Sequence, residues 1–449
     1  MNIVILGTGK TGEILVSNLV KENHTVTVID EKAKNVEAIL SKYDVMGVVG
    51  NGVKKSVLEE AGIGRADFFI AATSRDEVNI ICCTLAKKYG VRYTVARVRD
   101  PEYYTEVGSI KEELNIDMIF NPDYETAKEI SRILRFPFAN SVESFAGGVA
   151  SLAEFNITED NPIIGKAIVE VVKEYETQVI YAAVRRGNKS IIPLGDFVFE
   201  EGDVITIIAK DTEITNFCKK LHIFKMPSKS VFIIGGGKTS FYLAEQLIEG
   251  GVDVTIIEHN EARSFELSNA LPEATVLFGD GSDSDLLLEE KVDRSDACVT
   301  LTGMDEENAM ISLYVKGLGV NKVVTKINRQ SMINMVKVLG LDSVVSPLEL
   351  TANKIIRFVR SRQYDYKGRV KKLYRISDKA EASEFKVTEG FPTGIPLKSM
   401  KFKKQILVGG VVRNGTFILP TGETTLELND KIIVIAPARE ITELSDILK

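Results

Sequence analysis

Gly7, Gly9 and Gly12 follow an apolar run, Ile3 to Leu6, and open a stretch of helical spacing, the context in which G-x-G-x-x-G cradles a pyrophosphate. Gly7 permits a tight turn, Gly9 lets the backbone approach the anion, and Gly12 lets the helix pack closely on the sheet. Thr8, Lys10 and Thr11 occupy the remaining loop positions, where the helix start offers free N–H donors and a positive dipole end. Asp30 ends the next apolar run, where its carboxylate accepts hydrogen bonds from an adenosine ribose and repels a 2'-phosphate. The pattern predicts NAD(H), or another adenine nucleotide such as ADP or ATP that lacks a 2'-phosphate, over NADP(H). Lys10 sits either at the phosphate or as a solvated helix-end lysine. A P-loop is excluded, because the first glycine of G-x-x-x-x-G-K-[ST] would fall on Val4.

The motif occurs twice. VILGTGKTG, from Val4, returns 228 residues later as FIIGGGKTS, from Phe232. Gly235, Gly236, Gly237, Lys238 and Thr239 form the second loop, with Ser240 in the third glycine position and Glu258 in place of Asp30. Ser240 adds a hydroxymethyl at the helix packing contact. At an offset of 229, ATSRDEVN (Ala72 to Asn79) aligns with LTGMDEEN (Leu301 to Asn308), which pairs Thr73 with Thr302. Thr73 and Ser74 end a strand, so their hydroxyls either reach a nucleotide or cap the following helix. Arg97 is a candidate donor of a charge-assisted fork to phosphate, and its counterpart is Lys326. Asn51 and Asp280, in glycine-flanked turns, either line a pocket or take the left-handed conformation of a turn.

Placing these residues requires strands that end at them. Leu15, Val16, Leu19 and Val20 recur at helical spacing after the first loop, and Leu243, Ala244, Leu247 and Ile248 repeat that face. Short apolar runs, Val26 to Ile29, Val45 to Val49, Phe68 to Ala71 and Tyr93 to Val98, alternate with helical patterns. The expected class is α/β, with two Rossmann-like doubly wound parallel sheets, each followed by a small β-rich α+β domain. Near the end of each unit FNPDYETAKEISRILR, from Phe120, resembles VSPLELTANKIIRFVR, from Val345, a helix with arginines beside an apolar stripe. The following segments alternate β-type residues and turns, with RRGNKSIIPLGD echoed by VRNGTFILPTGE. Arg186 and Arg413, and Asp203 and Asp430, are 227 apart. The plan is N1 over residues 1–138, C1 over 142–221, N2 over 229–362 and C2 over 368–449, with a linker from His222 to Ser230.

Among 449 residues, 56 basic and 63 acidic side chains leave a net charge of -7, which argues against a nucleic-acid partner. Cys82, Cys83, Cys218 and Cys298 lack C-x-x-C spacing and read as small buried hydrophobes of a reducing cytoplasm. The chain enters a strand at once without a leader pattern, and no stretch reaches the ~18 apolar residues of a membrane span. His24, His222 and His259 read as incidental surface histidines, with no cluster of metal-ligand spacing. No catalytic residue is assigned; the alternative, an NAD-dependent oxidoreductase, would need an acid or base that C1 and C2 do not offer.

With GTGKTG, VID, GNG, ATSRDEVN and ARVRDPEY in its first half and a duplicated plan, the whole chain resembles the TrkA family, the cytosolic regulatory subunits of Trk-type potassium uptake systems. The resemblance implies a subunit that forms a homo-oligomeric ring, a tetramer, at the cytoplasmic face of the membrane beneath a TrkH-type potassium-translocating protein. Nucleotide binding to N1 and N2 would move the lobes and alter potassium flux. It places NAD contacts on Gly7 to Thr11, Asp30, Thr73, Ser74 and Arg97, and second-lobe contacts on Gly235 to Thr239 and Glu258.

Overall fold

The computed structural model describes every residue except 110, 137–138, 140, 188, 224–227, 342, 364–369, 377–379, 438–440 and 442. Residues 224–227 of the expected linker, the end of N1 at 138 and the start of C2 at 368 lie outside the described residues.

The first lobe runs β1 (Asn2–Leu6), α1 (Lys10–Lys21), β2 (Thr25–Asp30), α2 (Ala33–Leu40), β3 (Met46–Val49), α3 (Lys55–Glu60), β4 (Phe68–Ala71), α4 (Asp76–Lys88), β5 (Tyr93–Arg97), α5 (Pro101–Ser109), β6 (Met118–Phe120) and α6 (Pro122–Arg135). Its parallel sheet has the order β3-β2-β1-β4-β5-β6, so the chain reverses direction across the sheet between β1 and β4. That switch point is where open α/β sheets bind ligands. Local signals set the helices: α4 has Asp76 and Glu77 in its first turn and Lys87 and Lys88 in its last, each complementing the helix dipole. Leu15, Val16 and Leu19 of α1 are fully buried, as their spacing predicts.

C1 comprises β7 (Ser141–Phe145), β8 (Ala150–Asn156), α7 (Ile168–Tyr175), β9 (Ile180–Arg186), β10 (Lys189–Ile191), β11 (Val204–Ala209) and α8 (Asp211–Lys220), with an antiparallel sheet ordered β10-β9-β11-β8-β7. The second lobe repeats the first: β12 (Ser230–Ile234), α9 (Lys238–Glu249), β13 (Asp253–Glu258), α10 (Glu261–Ala270), β14 (Thr275–Phe278), α11 (Ser284–Glu289), β15 (Ala297–Thr300), α12 (Asp305–Gly317), β16 (Lys322–Lys326), α13 (Gln330–Val338), β17 (Ser343–Val345) and α14 (Pro347–Gln363). Its sheet order, β14-β13-β12-β15-β16-β17, is that of the first lobe. C2 holds β18 (Val370–Arg375), β19 (Ala380–Lys386), β20 (Leu407–Arg413), β21 (Thr416–Ile418) and β22 (Lys431–Pro437), in the order β18-β19-β22-β20-β21.

Compactness groups these segments in pairs. Met1–Leu134 and Ser228–Val359 form one unit, and Arg135–Pro227 and Arg360–Lys449 form another. Within the first, the lobes exchange their last helices. Ala127, Ile130 and Leu134 of α6 lie in the core of the second lobe with Val231, Ile233 and Leu243. Ala352, Ile355, Ile356 and Val359 of α14 lie in the core of the first with Ile3, Ile5 and Phe68. Each helix therefore covers the sheet of the other repeat, a placement its own periodicity does not encode.

In the second unit the two small sheets share a core in which Phe145, Leu152 and Ile208 meet Ala382, Phe417 and Ile433. The spacing of 227 has a structural meaning there. The Arg186 guanidinium donates to both oxygens of buried Asp203 at 2.7 and 2.8 Å, and Arg413 does the same to Asp430 at 3.0 and 2.8 Å. His24, expected at the surface, is instead buried, with Nδ1 3.4 Å from the N-terminal amine. No helix among the described residues is long and apolar enough to cross a membrane.

Candidate functional site: two glycine-loop cavities

Each parallel sheet carries a cavity at the carboxyl ends of its strands, about 490 Å³ in the first lobe and about 570 Å³ in the second. Both fall in the range of cofactor sites, roughly 300 to 1,000 Å³.

In the first, Gly7 has φ +97°, and a Cβ there would come within 2.9 Å of the Thr73 amide nitrogen. A Cβ at Gly12 would lie 2.0 Å from the Gly7 carbonyl oxygen, so α1 can seat on the turn only without a side chain at that position. At Gly9 a Cβ would meet nothing within 4 Å, which leaves the open approach a pyrophosphate requires.

Asp30 is more occupied than the sequence suggests. Its Oδ2 accepts from the Thr8 amide (2.9 Å) and hydroxyl (2.8 Å), and its Oδ1 from the Lys32 amide (2.9 Å) and Asn35 Nδ2 (3.2 Å). Burial alone would raise its pKa, but these donors together hold it below the usual carboxylate value. Four donors fill the acceptor capacity of a carboxylate. A further donor would reach Asp30 only by displacing the Thr8 hydroxyl or the Asn35 amide, both on rotatable side chains.

Thr73 and Ser74 line the cavity, but neither caps α4: the N-cap position is Arg75. The Thr73 amide and hydroxyl both donate to Asn79 Oδ1, at 2.9 and 2.7 Å. Asn79 Nδ2 returns bonds to the carbonyls of Thr73 (3.1 Å) and Arg97 (2.9 Å). This fully buried amide ties the ends of β4 and β5 together. Arg97 Nη2 donates to the Thr73 carbonyl, and burial lowers the guanidinium pKa. Arg97 lines the cavity, and its buried Nε has no acceptor among the described residues. Asn51 also lines the cavity; its φ is not left-handed, and its Oδ1 accepts from the Val53 amide at 2.9 Å. Gly loop, open approach, carboxylate and the cationic side chains of Lys10 and Arg97 together fit an adenine nucleotide.

The second cavity solves the same problem differently. Gly235 has φ +99°, and the Gly236 amide donates to Glu258 Oε2 at 2.6 Å. A Cβ at Gly236 would stand 2.9 Å from that oxygen and 2.5 Å from Leu267 Cδ1, so the longer Glu258 fills the space that Thr8 fills in the first lobe. The Asn260 amide (2.8 Å) and His259 Nδ1 (3.0 Å) meet Oε1. Ser240 is accommodated at the packing contact because its hydroxyl donates to the Gly235 carbonyl. Thr302 and Asn308 reproduce the Thr73–Asn79 clasp, with the Thr302 amide 2.8 Å from Asn308 Oδ1. Asn308 Nδ2 reaches the Lys326 carbonyl at 3.0 Å. The Lys326 ammonium donates to the Leu301 carbonyl at 3.0 Å, and burial pushes its pKa down against nearby Asp123 and Asp305. Asp280 lines the cavity without a left-handed φ, and its Oδ1 accepts from the Ser282 amide (2.8 Å) and hydroxyl (2.7 Å).

Arg99, Asp123, Thr239 and Lys326 line both cavities. Arg99 Nε donates to Asp123 Oδ2 at 2.8 Å, and the Thr239 hydroxyl donates to Asp123 Oδ1 at 2.9 Å. Beside them the Lys238 ammonium lies 3.2 Å from Asp100. Sequence reasoning assigned no role to Arg99, Asp123, Asn35, Asn79 or Asn308. The repeat held the signal for the two asparagines, which align at the offset of 229. Asp123 has no such signal, because its aligned counterpart is Leu348.

The TrkA-N domain model matches residues 3–122 and 231–347, and the TrkA-C domain model matches 152–222 and 383–449. A Trk system potassium uptake protein TrkA homolog of Archaeoglobus fulgidus is 32% identical over 450 residues, covering 100% of both chains. Among solved structures, the GsuK channel superposes with a TM-score of 0.67 at 17% identity over 99% of this chain and 77% of its own. The GsuK channel bound to NAD gives 0.64 at 18% identity, over 97% and 77%. At those identities the structures speak for the fold. The duplicated glycine-loop lobes, the two small β domains and a relative matched end to end place this chain in the TrkA family.

Proposed function

We propose that the chain is a non-catalytic regulatory subunit of a potassium uptake system, which binds NAD(H) or an adenine nucleotide and gates a separate membrane potassium-translocating subunit of the TrkH type. The observation that carries the reading is the position of the cavities: both open at the interface of two lobes that exchange helices and share Arg99, Asp123, Thr239 and Lys326. A ligand shifts a conformational equilibrium only through different affinities for its states, and a pocket walled by two lobes gains or loses contacts whenever they move. Coupling of ~1 to 3 kcal/mol per site, repeated around a homo-oligomeric ring at the cytoplasmic face of the membrane, suffices for a steep response.

In the first lobe the helix start after Gly9 would hold the phosphates, Arg97 and Lys10 would neutralise them, and Asp30 would take the ribose. Gly235 to Thr239, Glu258, Asp280, Thr302 and Lys326 are the corresponding second-lobe residues. The test is calorimetric titration of the purified chain with NADH, NAD, ADP and ATP. Binding of at least one is expected to weaken on Arg97→Ala and Asp30→Ala. Failure of all four to bind would remove the proposal, and turnover of NADH with keto acids would replace it with an oxidoreductase.

A further inference from the structure

The two cavities share a fold but not a charge. Among the described residues, six cationic side chains line the first, Lys10, Lys32, Arg75, Arg97, Arg99 and Lys326, against the carboxylates of Asp30, Glu31 and Asp123. In the second the balance reverses, with Arg99, Lys238 and Lys326 against Asp123, Glu258, Asp280 and Glu307.

The difference is sharpest where a pyrophosphate would lie, at the start of the helix that follows the glycine loop. Thr239 is the second residue of α9, and its hydroxyl is bonded to the Asp123 carboxylate contributed by the first lobe. Lys238, the counterpart of Lys10, is turned toward Asp100 of the first lobe. The mirror-related positions carry no such carboxylates: the counterpart of Asp123 is Leu348, an uncharged residue that lines the first cavity, and the counterpart of Asp100 is Arg329, which pairs with Asp305 and Glu306. Arg99 holds the other Asp123 oxygen, so the carboxylate is fixed from both sides.

We infer that Asp123 makes the pair of cavities sort nucleotides by phosphate charge: the first accepts the pyrophosphate of an adenine nucleotide, and the second rejects it. A fixed carboxylate at the positive end of α9 occupies the favourable field that a phosphate would use and repels the phosphate itself. One nucleotide diphosphate per chain is the consequence, even though the glycine loop is present twice. This rests on the proposed reading of the first cavity as a nucleotide site.

The test is titration of the full chain with ADP, following stoichiometry. Wild type is expected to bind one ADP per chain and Asp123→Asn two, since the amide keeps an acceptor for Thr239 without the charge. In the Asp123→Asn background, Arg97→Ala should abolish one equivalent and spare the other, which assigns the gained site to the second lobe. The converse variant, Leu348→Asp, places a carboxylate at the first cavity and should weaken its ADP binding at least tenfold. Two equal sites in wild type, a single site in Asp123→Asn, or unchanged affinity in Leu348→Asp would overturn the sorting while leaving nucleotide binding intact. No ADP, NADH, NAD or ATP bound by any variant would remove the nucleotide reading and the inference with it.

Discussion

The two lobes hold their glycine loops with exchanged parts, which predicts a strong energetic coupling in the second. There the Gly236 amide donates to Glu258 at 2.6 Å; in the first lobe Thr8 gives its amide and its hydroxyl to the shorter Asp30 at 2.9 and 2.8 Å. Gly236→Thr alone drives a Cβ to 2.5 Å from Leu267 Cδ1 and 2.9 Å from Glu258 Oε2, and overpacking of this kind costs about 1 to 3 kcal/mol. Glu258→Asp alone shortens the carboxylate away from the Gly236 amide, and losing a charge-assisted bond costs about 1.5 to 3 kcal/mol. The double substitution recreates the arrangement of the first lobe, so its cost should be under about 1 kcal/mol. The cycle then gives a coupling near 2 kcal/mol or above, within the range for residues in contact. Thermal denaturation reads it: each single variant should melt several degrees lower and the double variant close to wild type, at about 2 °C per kcal/mol for a unit of this size. A double variant that loses the sum of the single losses would refute the claim that Glu258 stands in for the Thr8 side chain.

Three further outcomes follow from the same structure. Asn79→Ala removes a fully buried amide that joins Thr73 to Arg97, and should cost about 3 kcal/mol by leaving buried partners unpaired, read as a lower melting temperature. Its nucleotide affinity should fall as well, because both tied residues line the first cavity. Asp30 has a folded pKa below its ordinary 3.8, so its contribution to stability is complete above that value and is lost as the pH falls through the depressed folded value. The gap in melting temperature between wild type and Asp30→Asn should therefore shrink between pH 6 and pH 3; a constant gap would contradict the assignment. Burial pushes the thiols of Cys82 and Cys298 up to about 12 and those of Cys83 and Cys218 higher still. All four should resist a thiol reagent at pH 8 in the folded chain and react together after denaturation.

Much of the site could be read along the chain because its chemistry is local. A glycine with φ +97° between a strand and a helix, or a carboxylate at a strand end, depends on neighbours a few residues away. Comparing the repeats then exposed where the copies diverge, at Ser240, Glu258 and Lys326. The same locality explains the misreadings. Of the two roles open to Thr73 and Ser74, nucleotide contact or helix cap, the cap is excluded: the buried amide of Asn79 claims the Thr73 hydroxyl and the cap falls at Arg75. His24 looked like a loop histidine, and only the packed first lobe buries it.

By itself, then, the chain determined two Rossmann-like sheets, two glycine loops and the carboxylate that closes each, since hydrophobic period and turn geometry are written in adjacent residues. It also determined that α6 and α14 each need an apolar partner, but not which sheet supplies it. Tertiary structure alone decided the exchange of those helices, and with it the bond from Thr239 to Asp123, 116 residues apart. An apolar stripe is satisfied by any surface of matching shape, whereas a carboxylate bonded to the helix start of one lobe and not of the other requires a particular partner at a particular distance.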